Sequence, residues 1–509
     1  MDHLTRIWLR FAPGVLTTGE GTAVLAAMLA FVWLTAIAAP TSPISPEALS
    51  RAVERELRAD PVLRETDLYA ISRAGEVTLG GTVDRLLWQR RAERVAETVR
   101  GVRAVVNRIA IRSPSHVPDH ELNERVQRLL TSTPVLRSAG IEAETQTGEV
   151  RLTGEVGSFA MREAADDLVA SVVGVRQVRN ELTLAPGRVL TGTALAEAVR
   201  RTFAFDALLA HDRIEVAIDG SKVQLSGEVR SAAERRRARL RAGDAGAAEV
   251  DISRLAVTHH QGWSSGDAPP DEAIAQAVNE AFAADPRLQA YTLAVKVKEG
   301  RVNLDGTLPT LLDRRLAARI AQQVRGVRQV HETIALPPEV THPRALEGRA
   351  REVLRTDPLI GDQSIVVTVS KQTAVLTGTV AMPWQRQHAE AVVAAVEGIG
   401  AVHNQLRSMQ RVPYYGDKPY VGVPHFMLGD RRAAPGQAPP EDAVLAEAVR
   451  AQLQWSAFLD ATDVRVSVNR GVATLTGNVR TPFQALMATQ EAHEGGARQV
   501  KNLLSIRKR

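Results

Sequence analysis

The sequence predicts an α+β chain. Six small two-layer sandwiches should stand in tandem, each built as helix–strand–strand–helix–strand, with two helices on one face of a three-stranded sheet. They follow an N-terminal hydrophobic helix. Three observations predict this. The pentapeptide GVRQV stands at Gly174–Val178 and again at Gly326–Val330. A strand-like stretch recurs six times, as GEVTLGGTV, GEVRLTGEV, SKVQLSGEV, GRVNLDGTL, TAVLTGTV and GVATLTGNV. Its anchoring glycines are Gly81, Gly154, Gly227, Gly306, Gly378 and Gly477, spaced 73, 73, 79, 72 and 99 residues apart. Twenty residues before each glycine stands Pro61, Pro134, Ala207, Pro286, Pro358 or Ala457. Recurrence in fixed register marks one domain repeated, each copy near the lower size limit of what folds alone.

Each element follows from a local period. Leu49, Val53 and Leu57 recur at i, i+4 and i+8, which is one apolar helix face. Matching trios run from Leu122, Leu195, Ile274, Leu346 and Leu445, and a proline closes this helix in four copies. Ile214, Val216 and Ile218, like Ile365, Val367 and Val369, alternate with period two and read as a first strand. Turns at Gly75, Gly148, Gly300 and Gly471 lead into a second strand, making a hairpin. There Val77, Leu79, Gly81 and Val83 share the buried face, so a helix is expected to pack closely over each anchor glycine. Arg151, Thr153 and Glu155 should be wetted. Residues Trp88–Arg100 read as a second amphipathic helix through Ala92, Val95, Ala96 and Val99. Gly101 stops it, and VRAVVNRIAI is a third strand. GVRQV therefore marks a helix stop and a strand entry.

The copies are expected at 46–112, 118–185, 191–257, 270–337, 342–408 and 441–508, with an aromatic and proline-rich linker at 411–440. That linker holds Tyr414, Tyr415, Tyr420 and Phe426, suited to docking on a neighbouring unit or a partner. Residues 1–21 form a cytoplasmic leader. The uncharged run at 22–39 just reaches membrane-spanning length, and Arg6 and Arg10 before it keep the N-terminus inside. A cleaved signal peptide, with a small-residue site at Ala36-Ile37-Ala38, is the rival reading. Both export everything after Pro40: either anchored in the inner membrane or soluble in the periplasm.

The stretches GTVDRLLWQRRAERVAETVRGVRAVVNRI and GTVAMPWQRQHAEAVVAAVEGIGAVHNQL carry a second-strand VxLxGxV and a GVxxVxN after the second helix. This pattern resembles the BON domain of bacterial osmotically induced periplasmic proteins, secretins and haemolysins. The resemblance implies phospholipid binding, envelope maintenance and stress tolerance, without catalysis. The third copy departs from it with Gly246-Ala247 and Ile252, and the fourth with Glu332 in place of the asparagine.

The chemistry expected is correspondingly plain. Charged residues are 24% and the net charge is +5, which argues against an extended nucleic-acid interface. The absence of cysteine excludes disulfides, thiolate metal sites and a cysteine nucleophile. No phosphate loop or nucleophile elbow occurs. No enzyme activity, cofactor or metal is expected. His259-His260 reads as a solvated linker, and Asp166-Asp167 as helix surface. The recurring Asn107, Asn180, Asn404 and Asn502 read as backbone hydrogen-bonding residues. Two readings stand for the residues opening the second helix, which include Leu311-Leu312. Leu87, Trp88, Arg90, Arg91, Trp384, Arg386 and Phe483 could dip into a bilayer interface while arginine meets phosphate, or they could cap the small core. The expected partner is a phospholipid surface, with envelope proteins beside it. The alternative function is a periplasmic protein-binding scaffold or chaperone.

Overall fold

A computed structural model describes residues 44–112, 117–258, 269–409 and 442–506, apart from 61, 65, 134–135, 186, 188, 210–212, 286, 338–342, 362, 382 and 498. The leader, the run at 22–39, His259-His260 with Trp263, and the linker at 411–440 lie outside the described residues. Among those described, no helix is long and apolar enough to cross a membrane. The chain from Pro46 onward forms one compact unit.

Copy 1 shows the plan. Helix α1 (Pro46–Ala59) buries Leu49, Val53 and Leu57, the period-four face read from the sequence. Strands β1 (Tyr69–Arg73) and β2 (Glu76–Gly80) pair antiparallel. Helix α2 (Leu86–Glu97) crosses to β4 (Ala104–Asn107), which lies parallel to β2, while β3 (Thr82–Val83) pairs with β5 (Ala110–Ile111). The sheet order is thus first, second, third strand, with the second in the centre. The other first helices are α3 (Asp119–Ser132), α5 (Gly192–Phe205), α7 (Asp271–Ala284), α9 (Pro343–Thr356) and α11 (Asp442–Trp455). The other second helices are α4 (Phe159–Ala170), α6 (Ala232–Asp244), α8 (Leu311–Gln322), α10 (Pro383–Ala394) and α12 (Pro482–Glu494).

The hairpin turns are tight. Ala74, Thr147, Glu299, Lys371 and Arg470 all adopt φ near +50°, the left-handed backbone that a two-residue turn between twisted strands demands. Copies 2, 4 and 6 secure theirs with one aspartate each. Both carboxylate oxygens of Asp119, at the start of α3, accept turn N–H groups, from Thr147 at 2.7 Å and Gly148 at 3.0 Å. Asp271 and Asp442 do the same for their own turns.

The anchor glycines are needed for a different reason from the one expected. Among the described residues, the nearest neighbours of a Cβ built there belong to the chain entering the first strand and not to a helix. Gly81 has φ +118°, and a Cβ there would overlap the backbone carbonyl of Asp67, at the entry to β1. Gly227, Gly378 and Gly477 face Arg213, Ser364 and Asp463 in the same way. The strand kinks at this point, and the adjacent chain comes too close for any side chain.

The recurring asparagines act as backbone clamps. Asn107 Nδ2 donates to the Gln89 carbonyl in α2 at 2.8 Å, and its Oδ1 accepts the Ile109 N–H. Asn180, Asn404 and Asn502 reproduce both bonds, to Arg162, Arg386 and Ala485 on one side and to Leu182, Leu406 and Leu504 on the other. Each ties the third strand to the first turn of the second helix.

Candidate functional site: a hub of second helices

The side chains opening the second helices converge between copies. Leu87 and Trp88 are 1% and 6% exposed, in a core that runs through copies 1, 2 and 5. Phe483 and Met487 of copy 6 pack with Phe458 and with Leu208 and Ala233 of copy 3. Leu311 and Leu312 of copy 4 meet Ala394 of copy 5. Phe159 of copy 2 lies where a Cβ on Gly243 of copy 3 would overlap its ring, and the guanidinium of Arg162 sits 4.4 Å from the ring centroid. Small residues let the helices approach, and large ones fill the junctions.

This placement corrects the membrane-contact expectation. Leu87, Trp88 and Phe483 are 1%, 6% and 2% exposed, so they do not reach the surface. Arg91 is 3% exposed and pairs with Asp60 at 2.8 Å. Arg90 turns to copy 2 and Arg386 is half-buried. Trp384 falls on α10, and its side chain is outside the described set. The Asp166-Asp167 pair is likewise not plain surface.

Charges follow a positional rule. The residue nine places after the anchor glycine pairs with the residue twelve places after it in the next copy. Arg90 meets Asp166 at 2.5 Å, Glu163 meets Arg239 at 2.6 Å, and Arg236 meets Glu93 at 3.5 Å, which closes a ring through copies 1, 2 and 3. Arg94 adds a 2.7 Å bond to Asp167, and Arg236 a 2.5 Å bond to Glu97. Arg315 of copy 4 and Glu390 of copy 5 obey the same rule at 3.2 Å. Burial raises the carboxyl of Asp166 to about 6 against the pull of Arg90, and burial also raises Glu97 against Arg236.

A second set of seams joins copy 1 to 6 and copy 3 to 4. Arg100 N–H donates to the Trp455 carbonyl at 2.9 Å, and Ala457 N–H to the Thr98 carbonyl at 3.0 Å. In the other seam, Arg325 N–H donates to Phe205 at 2.7 Å and Ala207 N–H to Gln323 at 3.1 Å. Equivalent positions also face each other, Gln452 on Glu56 and Arg201 on Glu280. Ala207 and Ala457 are the two copies without proline at this position, and here the N–H that proline lacks makes the bridge. Copy 5 has Pro358. There Arg85 of copy 1 intervenes, and its Nη1 donates to the Pro358 carbonyl at 2.7 Å and to Ser171 of copy 2 at 2.9 Å. Arg85 occupies the N-cap position that Ser158, Ser231, Thr310 and Thr481 use to cap their own helices.

Asp206 lies in the 3–4 seam. Burial alone would raise its carboxyl, but Arg237, Arg241 and the Leu208 N–H together hold it below the usual range. Nearby Asp244 is pushed by burial to about 6. Glu56, Glu491 and Glu494 bring ligand oxygens within 4.8 Å of one another in the 1–6 seam, a set that could in principle hold a cation, and the Gln452 amide bridges them.

Around this hub the sheets face outward and differ in chemistry. Copy 2 exposes Glu142, Glu144, Glu155 and Glu181, with Arg151 bound to Glu181 at 2.6 Å. Copy 4 exposes Lys296, Lys298 and Arg328. Copy 5 alternates Ser364, Val366, Thr368 and Ser370 on its exposed side.

Comparison with known proteins agrees with the repeat. The family model described as "BON domain" matches at 46–113, 118–186, 191–258, 270–338, 344–409 and 441–508. "Osmotically-inducible protein Y" of Escherichia coli (strain K12) is 26% identical over 141 residues, covering 26% of this chain and 70% of that protein. Two solved structures of CdsD, a structural protein of the type III secretion system of Chlamydia trachomatis, align at 15% and 14% identity. They cover 40% and 41% of this chain and 88% and 96% of those chains, and their TM-score of 0.13 is too low to carry an argument. Six matches in register, spanning most of the sequence, place this chain in the BON domain family.

Proposed function

We propose that this chain is a non-enzymatic cell-envelope protein whose BON modules bind anionic phospholipid surfaces, supporting envelope integrity under osmotic stress. The observation that carries the reading is the hub. Second helices pack inward and six sheet faces point outward from one compact unit. Sheet faces left uncovered by other copies keep their side chains available to a surface of headgroups, so a membrane is a fitting partner. The family and the osmotically inducible relative support the same context. The modules act outside the cytoplasm, exported by the run at 22–39, which serves as an inner-membrane anchor or as a cleaved signal.

Vesicle flotation tests this. Residues 41–509 should float with phosphatidylglycerol vesicles at low salt, release at high salt, and ignore phosphatidylcholine. No flotation on anionic vesicles, together with crosslinking to defined envelope proteins, would replace the lipid reading with a protein scaffold.

A further inference from the structure

We propose that the outward sheet face of copy 1 is the part of the array that lies against the bilayer. This rests on the membrane reading above and names the surface that carries it. On β1, Tyr69 and Ile71 are 51% and 60% exposed, while Ala70 and Ser72 face the core. Tyr69 lies across the adjacent strand so closely that a Cβ on Gly80 would overlap its ring. Ile71 is in register with Thr78, and Thr78 with Val106, so a row carrying two aliphatic side chains and a threonine crosses the sheet. Exposed Arg73, Arg103 and Arg108 rim it, and no ion pair among the described residues engages them. Glu76, opposite Arg73, is the one acidic residue on β1 and β2.

No other copy pairs an aromatic with a large aliphatic at these two positions. Copy 2 has Glu142 and Glu144, and copy 4 has Ala294 and Lys296. A half-polar aromatic and an isoleucine rimmed by arginine suit the headgroup layer, where the ring and aliphatic chain leave water while guanidinium meets phosphate. The free edge of β1 is less suited to an added strand. Its Ala70 N–H donates to Glu54 and its Ser72 N–H to Ser50, both from α1.

The chain has no cysteine, so a single introduced thiol reports one position. Full-length chains carrying Ile71→Cys or Glu144→Cys, labelled with nitrobenzoxadiazole, are reconstituted into phosphatidylglycerol–phosphatidylcholine vesicles. The probe at 71 should shift to the blue and brighten about twofold relative to phosphatidylcholine alone, reversibly with salt, while the probe at 144 stays unchanged. Tyr69→Ser with Ile71→Ser, both on exposed sites, should weaken anionic flotation of residues 41–509 while leaving the circular dichroism spectrum unchanged. If both probes stay water-like while residues 41–509 still float, the face is misassigned and the membrane reading survives. If residues 41–509 do not float, both fall. Blue-shift at 71 without vesicles, in a chain that sediments as a dimer, would give the face to a second copy and overturn the proposal.

Discussion

Putting proline at Ala457 should open one seam without harming the module that carries it. Four of the six copies have proline at this position, so the unit itself tolerates the ring. What is lost is the Ala457 N–H, which donates to the carbonyl of Thr98 at 3.0 Å. Thr98 is 2% exposed, so its carbonyl has little access to replacement water. Leaving a buried acceptor unmet costs about 1–3 kcal/mol. That corresponds to roughly 5–150-fold more frequent opening of the seam between copies 1 and 6. The assay is hydrogen exchange at the Arg100 amide, which bonds Trp455 across the same seam at 2.9 Å and should exchange faster by that factor. Amides in the copy 6 sheet, such as Leu475, should not change. Unaltered exchange at Arg100, or equal acceleration at Leu475, would refute the reasoning, the first because the bridge is not holding the seam, the second because the module itself has loosened.

Other outcomes follow from the same contacts. Gly243→Val should destabilise the junction of copies 2 and 3 by about 1–3 kcal/mol in denaturant unfolding, because its side chain must displace Phe159. Replacing Asn404 by alanine removes bonds to Arg386 and Leu406 and should cost about 1–2 kcal/mol, read in the same assay. Asp166 and Asp244, at about 6 when folded, lie above an ordinary aspartate near 3.9. The folded chain therefore holds these protons more tightly, and their contribution to stability grows as pH falls through about 6 and is complete near 4. Asp166→Asn should flatten that part of the Tm profile between about pH 7.5 and 5, and an equally steep profile would sink the assignment.

Within each copy, the elements were legible because their signals are local. A period of four marked α1, a period of two marked the paired strands, and a glycine marked each helix stop. The position of the anchor glycine is legible but its reason is not, because its neighbour is a backbone carbonyl fourteen residues earlier, across the hairpin. The hub was hidden for a physical reason. A helix that packs on its own sheet with one face and on another copy with the next has the composition of an arginine-rich solvated surface. Arg90, Arg236 and Arg239 look alike whether they meet water or Asp166, Glu97 and Glu163. Three traces are nonetheless present. The alanines at 207 and 457 broke a proline rule where a bridging N–H is needed, and Arg85 replaced a helix-capping serine or threonine. The charge nine residues after the anchor glycine also alternates in sign from copy 1 to copy 3, as Arg90, Glu163 and Arg236, and this becomes visible only once the copies are aligned.

Small-angle X-ray scattering of residues 41–509 tests most directly whether the six copies act as one body. A compact unit of this length has a radius of gyration of about 23 Å, and the packed hub predicts a value close to that. Six separate modules on flexible connections would give roughly 30 Å or more, and such a value would contradict the account.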